Sequence, residues 1–250
     1  MPYSIRTELS KLIESLISEG IIEPAELSLW QSPIVVKRKV NGEIRMCINL
    51  RCLNRVIWVD GHPLPCIDDL LSVLHGATVF TKLDMRSAYH QVVLCKDSHH
   101  LTAFVTPDGV YQFCRMPFGL ASAASVFQRV IEEVLRGLPG VSVYQDDVLV
   151  YGKDQVEHDT RLELVLTAME NRGLRLRRDK CKFSVPEVKY LGHVITRQGI
   201  APRPGLLLAI SGVATHSDRD KLRSFIGMCE YYAKFVKDFA TTAEPLLSLL

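Results

Sequence analysis

An α+β fold is predicted for this chain from three observations. Ile5, Leu9, Leu12, Ile13, Leu16 and Ile17 recur at helical spacing, whereas Val79 to Leu83 and Val141 to Tyr151 form short, apolar, β-branched runs. Hairpin signals punctuate the chain at Asn41-Gly42, at Pro107-Asp108-Gly109 and at the acid pair Asp146-Asp147. With 250 residues and 47% hydrophobic content, the chain can bury a large core in one compact or multi-lobed unit.

The elements follow in order. The first helix is stopped by Gly20. Ile34 to Val36 and Ile44 to Ile48 read as strands joined by Asn41-Gly42. Pro63 and Pro65 break the chain before a short helix that carries Ile67, Leu70, Leu71 and Leu74. Val79 to Leu83 is a strand delivering Asp84 at its end. Ala103 to Val105 and Val110 to Phe113 flank the next hairpin. Ser122 is placed to cap a helix that runs to Arg136 and is closed by Gly137. After the acid hairpin comes a helix from Gln155 to Asn171, ended by Gly173. Leu222, Phe225, Ile226, Cys229, Tyr232, Phe235, Val236 and Phe239 predict one amphipathic helix. No repeat, low-complexity tract or flexible linker is present.

Composition excludes several classes. The net charge of +2 does not advertise nucleic acid, so any such binding must come from local patches. Two patches stand out: Lys37, Arg38 and Lys39, and the stretch with Arg172, Arg175, Arg177, Arg178, Lys180 and Lys182. Either also reads as a solvated face. The seven cysteines are scattered without a C-x-x-C pair, which argues against a zinc knuckle or disulfide scaffold and for a reducing compartment. No apolar run approaches a membrane span and no signal peptide begins the chain. An intracellular protein is expected, in the cytoplasm, a virus-like particle or the nucleus.

The chemistry is concentrated in acids. Asp146 and Asp147 lie between two apolar runs in VSVYQDDVLVY, and Asp84 ends another strand-like run in VFTKLDMRSAYHQV. Taken alone, an Asp-Asp pair at a hairpin is turn chemistry. Three carboxylates converging from strand ends instead make an oxygen-rich site for hard divalent cations. Two such ions roughly 3.5–4 Å apart serve in-line displacement at phosphorus.

The surroundings decide between these readings. KLDMRSAYHQV, FCRMPFGLASAASVFQRV (Phe113 to Val130), the YQDD box (Tyr144 to Asp147) and YLGHVIT (Tyr190 to Thr196) occur in one family's order. LISEGIIEP, SPIVVKRKVNGEIRMCINLRCLN, HPLPCIDDLL and LRSFIGMCEYYAKFVKDF agree with it. The chain resembles the reverse transcriptase of gypsy-class long-terminal-repeat retrotransposons, whose Pol polyprotein also carries protease, ribonuclease H and integrase. The resemblance implies a right-hand polymerase fold, with an antiparallel palm sheet packed on helices. Residues 1–60 and 92–122 would form the fingers, and 61–91 and 123–198 the palm. Residues 199–250 would form the thumb, with the start of a connection at the end.

Site roles are implied by the same resemblance. Asp84, Asp146 and Asp147, with the backbone of Met85, would hold two Mg²⁺ ions, or Mn²⁺. Arg45 and a lysine of the Lys37 to Lys39 cluster would contact the triphosphate of a dNTP, close to the backbone at Ser87 and Ala88. Tyr89 would be the ring that excludes a 2′-hydroxyl, although its position also suits a core aromatic. Phe118 and Gly119 would line the nucleotide pocket. Asn49, Arg51, Gln128, Tyr144, Gln145, Leu191 and Gly192 would meet an RNA template and DNA primer.

Departures from the family pattern are informative. Asn49 stands in place of an acid, which removes an ion-pair partner for Arg51 worth about 1 kcal/mol or less if exposed. Gln145 replaces an apolar residue in the box, and Ala124 a common proline. No protease Asp-Ser/Thr-Gly motif is present, and the chain stops at TTAEPLLSLL. A polyprotein fragment or an isolated domain without ribonuclease H activity is therefore expected. The alternatives are an RNA-directed RNA polymerase, which usually carries glycine before the acid pair, and a catalytically silent relic that still binds nucleic acid.

Overall fold

The structure, a computed structural model, describes residues 3–25, 28–38, 42, 44–205 and 218–250. Helix α1 (Tyr3–Ser18) ends at Gly20, whose φ of 65° only glycine adopts at little cost. Its stripe buries Leu9 and Ile13 against Ile22, Phe104 and Phe113. Strands β1 (Ile22–Pro24), β2 (Ser32–Arg38) and β3 (Ile44–Ile48) come next, followed by the short helices α2 (Arg51–Asn54) and α3 (Ile67–Ser72). β2 and β3 pair antiparallel as the sequence predicts; Asn41 of the predicted turn lies outside the described residues.

Strand β4 (Val79–Asp84) precedes the hairpin β5 (Phe104–Thr106) and β6 (Gly109–Phe113). The first sheet has the order β1-β6-β5-β2-β3, with β2 and β5 parallel. The segment around β4 therefore leaves this sheet and returns to it. Helix α4 (Ala123–Val134) then leads into strands β7 (Val141–Tyr144) and β8 (Asp147–Gly152), helix α5 (Gln155–Asn171) and strand β9 (Lys182–Val185).

These strands form a second, fully antiparallel sheet of order β7-β8-β4-β9. Its strands alternate faces with period two. Leu83, Val143, Val148 and Val150 pack on Phe127 and Ile131 of α4 and on Val165 and Met169 of α5. Phe80 and Leu149 turn to the opposite face, against Leu71, Leu74, Val188, Tyr190 and Ile195. Full burial of Phe127 and Ile131 contributes about 1.5–3 kcal/mol each. Gly152 is required where α5 crosses β8, because a Cβ there would lie 2.6 Å from the His158 amide nitrogen.

A third sheet of strands β10 (Glu187–Tyr190), β11 (His193–Thr196) and β12 (Gly199–Pro202) is a meander not foreseen from sequence. Leu191 and Gly192, both at positive φ, make its first tight turn.

Two local expectations are corrected. Ser122 occupies the cap position of α4, but its hydroxyl makes no capping bond; its carbonyl instead accepts from the Ser125 hydroxyl at 3.2 Å. The predicted single helix of 222–239 is two: α6 (Arg219–Glu230) and α7 (Phe239–Leu247), with Asp238 at φ 53° between them. The break wraps Tyr231, Tyr232 and Phe235 around the buried His193 ring.

Candidate active site

The carboxylates are placed by strand register. Asp84, last in β4, pairs directly with Asp147, first in β8, and Tyr144 pairs with Asp147 across the hairpin. Opposed residues of an antiparallel pair put their side chains on one face, here the face of Phe80 and Lys82. The turn between β7 and β8 is Gln145-Asp146, with Gln145 at φ 54°. Lys82 lies two residues before Asp84 on the same face, and its Nζ sits 2.7 Å from Asp147 Oδ1. Among the described residues, the three aspartates do not form a ligand set with one oxygen from each within 4.8 Å of the others. Lys82 draws Asp147 to itself, and like charges repel.

Burial pushes the Asp146 carboxyl above its ordinary value; Asp147 and Asp84 raise it further, while a backbone hydrogen bond and Lys82 oppose the shift. A hard divalent cation would relieve this repulsion, so the donor set fits Mg²⁺ or Mn²⁺. The sign for stability follows. A carboxyl raised on folding costs stability as pH climbs through the window from 3.8 to its raised value. In EDTA, Asp146→Asn is therefore expected to melt above the parent at pH 7, with the gap closing as pH falls through that window. Thermal melts from pH 4 to 8 check this.

The segment after Asp84 is held by backbone. Arg177 N–H donates to the Asp84 carbonyl at 2.8 Å, and Arg86 N–H to the Arg175 carbonyl at 2.9 Å. Met85 is bridged to Leu176 through these flanking bonds, which do not use its own carbonyl. Ser87 takes the left-handed conformation at φ 48°, Ala88 is buried, and Gln91 ties the loop to the backbone of both Arg86 and Arg175. Arg86, Arg115 and Arg175, with Glu19, His90 and Gln91, line a cavity of about 420 Å³ beside this loop. Burial pushes the His90 imidazole down to about 4, so it is neutral there at pH 7.

Tyr89 packs between two phenylalanines, tilted at 5.0 Å against Phe118 and edge-on at 5.8 Å to Phe127. Burial raises its hydroxyl, and the Asp146 charge raises it again, which puts the ring within electrostatic reach of the acids. Phe118 is half exposed. Gly119, at φ 98°, offers its carbonyl to Asn54 Nδ2 at 2.8 Å, and Asn54 Oδ1 accepts from Ala121 N–H at 2.9 Å. Asn54 thus clamps the loop carrying Phe118. It was not singled out from sequence, where nothing distinguishes it from a turn residue.

On the neighbouring hairpin, Lys37 and Arg45 are exposed cross-strand partners. Arg38 is committed to Glu8 at 2.8 Å, and Lys39 lies outside the described residues. Asn49 keeps a link to Arg51 despite lacking a charge: its Oδ1 accepts from Arg51 Nε at 2.9 Å.

Gln128 is a correction. Expected to face template, it is fully buried, because its amide is consumed inside the protein. Its Oε1 accepts from Gln145 N–H at 2.6 Å, and its Nε2 donates to the Val143 carbonyl at 3.1 Å and to Glu132 at 2.7 Å. Glu132 in turn meets His62 at 2.8 Å. Gln128 holds the acid turn from behind. Leu191 and Gly192 form the β10–β11 turn, whose Leu191 carbonyl accepts from the Tyr231 hydroxyl at 3.1 Å.

Known proteins match both the sequence and the fold of this chain. The family model described as "Reverse transcriptase (RNA-dependent DNA polymerase)" matches residues 36–195. The chain is 37% identical, over 99% of its length, to the retrovirus-related Pol polyprotein from transposon opus of Drosophila melanogaster, of which the match covers 25%. It is 35% identical over 95% of its length to the Pol polyprotein from transposon gypsy of the same organism, covering 24% of that protein. The chain thus spans about a quarter of these relatives. Foamy viral protease-reverse transcriptase in complex with double-stranded DNA superposes with a TM-score of 0.89 at 24% identity, over 98% of this chain and 43% of that one. The same viral protein with an RNA/DNA hybrid gives 0.83 at 23% identity, over 100% and 34%. The fold is thereby the right-hand polymerase fold, and the chain belongs to the reverse transcriptase (RNA-dependent DNA polymerase) family.

Proposed function

We propose that this chain extends a primer 3′-hydroxyl with deoxynucleoside triphosphates on an RNA or DNA template, with two Mg²⁺ ions held by Asp84, Asp146 and Asp147. The observation that carries this reading is the pairing of Asp84 with Asp147 beside an Asp146 whose ionisation both disfavour. The ions, once bound, would supply the charge that favours hydroxyl ionisation and pyrophosphate departure.

The chain's own residues do the rest. Lys37 and Arg45 offer two exposed cations at one cross-strand position, and Arg45 a planar guanidinium suited to phosphate and base. The rigid backbone at Ser87 and Ala88 gives a triphosphate close approach, and the Met85 carbonyl a further oxygen for metal. Phe118 and Gly119 bound the sugar side, with Tyr89 beneath. Asn49, Arg51, Tyr144 and Gln145 would contact template or primer, and Leu191-Gly192 the primer end. Residues 1–60 and 92–122 would act as fingers, 61–91 and 123–198 as palm, and 199–250 as thumb. Ribonuclease H, protease and integrase of a parent Pol polyprotein would be its partners. Among the described residues, no helix is long and apolar enough to cross a membrane.

Primer extension on poly(rA)–oligo(dT) with dTTP and Mg²⁺ or Mn²⁺ tests the reading. Tight binding of the hybrid without extension would support the silent relic instead. Tyr89→Val tests the sugar gate. Its ratio of kcat/KM for rNTP over dNTP is expected to rise by about 10–100-fold, the scale of discrimination a single steric contact provides. An unchanged ratio would return Tyr89 to the core.

A further inference from the structure

Outside the aspartate centre, three unlike side chains meet on the first sheet. Glu23 in β1, His99 in the 3-10 segment Lys96–Thr102 and Cys114 just after β6 bring an oxygen, a nitrogen and a sulfur within 4.8 Å of one another. No residue of this group belongs to the polymerase chemistry described above.

The hydrogen bonds around His99 are one proton short. Its buried ring places Nδ1 3.0 Å from Glu23 Oε1 and Nε2 3.3 Å from the Leu94 carbonyl oxygen. Both neighbours are acceptors, whereas a neutral imidazole carries a single N–H. Either the ring holds two protons, or Nδ1 gives its lone pair to a cation while Nε2–H serves Leu94. The second arrangement is the one metal-ligating histidines adopt, with the distal N–H on a backbone carbonyl.

The other two donors are equally prepared. Gln112 Nε2 donates to Glu23 Oε1 at 2.7 Å and fixes the carboxylate. Cys114 is held at both backbone groups: its N–H donates to the Ile21 carbonyl at 2.9 Å, and its carbonyl accepts from Leu94 N–H at 3.0 Å. The Glu23 side chain is 45% exposed, which leaves an entry path.

We propose that Glu23, His99 and Cys114 form a site for a zinc-class divalent ion. Three mixed S, N and O ligands suit Zn²⁺, which takes four-coordinate geometry with water in the remaining position. The thiolate selects it over Mg²⁺. Binding forms the S–metal bond and releases the thiol proton to solvent. Thiolate and carboxylate then neutralise the dication. The ion would tie β1 to the end of β6 and to the Lys96–Thr102 turn.

The test is Co²⁺ titration of the EDTA-stripped chain in a background where the exposed Cys47, Cys52, Cys66 and Cys95 are serine. A thiolate-to-cobalt charge-transfer band should appear, persist in excess Mg²⁺, and be displaced by Zn²⁺. Cys114→Ser should remove the band, and His99→Gln should weaken metal affinity by at least about 10–100-fold, the cost of losing even a partner behind a ligand. Zn²⁺ should also raise the melting temperature of the parent but not of Cys114→Ser. His99→Gln keeps the site testable if the serine variant fails to fold. Absence of the band, or a band unaltered by both substitutions, overturns the proposal and leaves an ion pair of Glu23 with a doubly protonated His99.

Discussion

Asp146→Asn is expected to lower primer extension by about 10³-fold or more while template–primer binding stays within about threefold. The two readouts separate because the substitution preserves shape and hydrogen-bonding capacity at the turn while removing the charge on which cation binding depends. Asp84→Asn should behave the same way, since Asp84 and Asp147 are direct strand partners facing one side of the sheet. Single-turnover extension and a filter or anisotropy assay on the same hybrid check both halves. Extension that survives either substitution would remove the aspartates from the chemistry; loss of binding in parallel would assign them to substrate positioning.

Gln128→Leu is expected to be the most damaging single change away from the acids. It strands the Gln145 N–H and the Val143 carbonyl behind the hairpin and leaves Glu132 without its amide partner. Unsatisfied buried groups cost about 1–3 kcal/mol each, so a loss of roughly 2–4 kcal/mol and a melting temperature lower by about 5–12 °C are anticipated. Extension should fall as well, because Gln145 is held at a positive φ that costs a non-glycine residue about 1–3 kcal/mol. Combining Gln128→Leu with Gln145→Gly probes that link. Glycine accepts the left-handed conformation without strain, so the double variant should recover part of the lost stability and activity. Strict additivity of the two substitutions would sink the idea that Gln128 braces the turn.

Much of this was legible in the residues, and the misses share a cause. Helix α5 ran over the predicted Gln155–Asn171 up to its glycine stop, and the strands bearing Asp84 and Asp147 were clear from their β-branched content. The meander of β10 to β12 was not, because four-residue strands carry too few alternations to register as a period. The C-terminal helix was overextended because its apolar spacing continues past Glu230, although the chain breaks there and sets Tyr231 and Phe235 against His193. Gln128 was misassigned because a glutamine on an amphipathic helix reads as exposed. Only the distant turn it supports explains its burial. Lys82 and Asn54 were overlooked for the same reason: each acts on a partner far along the chain.

The return of the chain to its first sheet also sets a clock. Glu23 reaches Gln112 across 89 residues, and β2 lies parallel to β5 with β4 made in between. At about 5–20 residues/s, a ribosome needs roughly 4–18 s to deliver the second partner after the first. For that interval the β1 and β2 edges stand unpaired, open to any neighbouring strand. Slow closure of this kind raises contact order and lowers the folding rate. A nascent chain of this protein is thus most vulnerable to aggregation and proteolysis before Phe113 is available to close the sheet, and Phe113 is made before either Asp146 or Asp147.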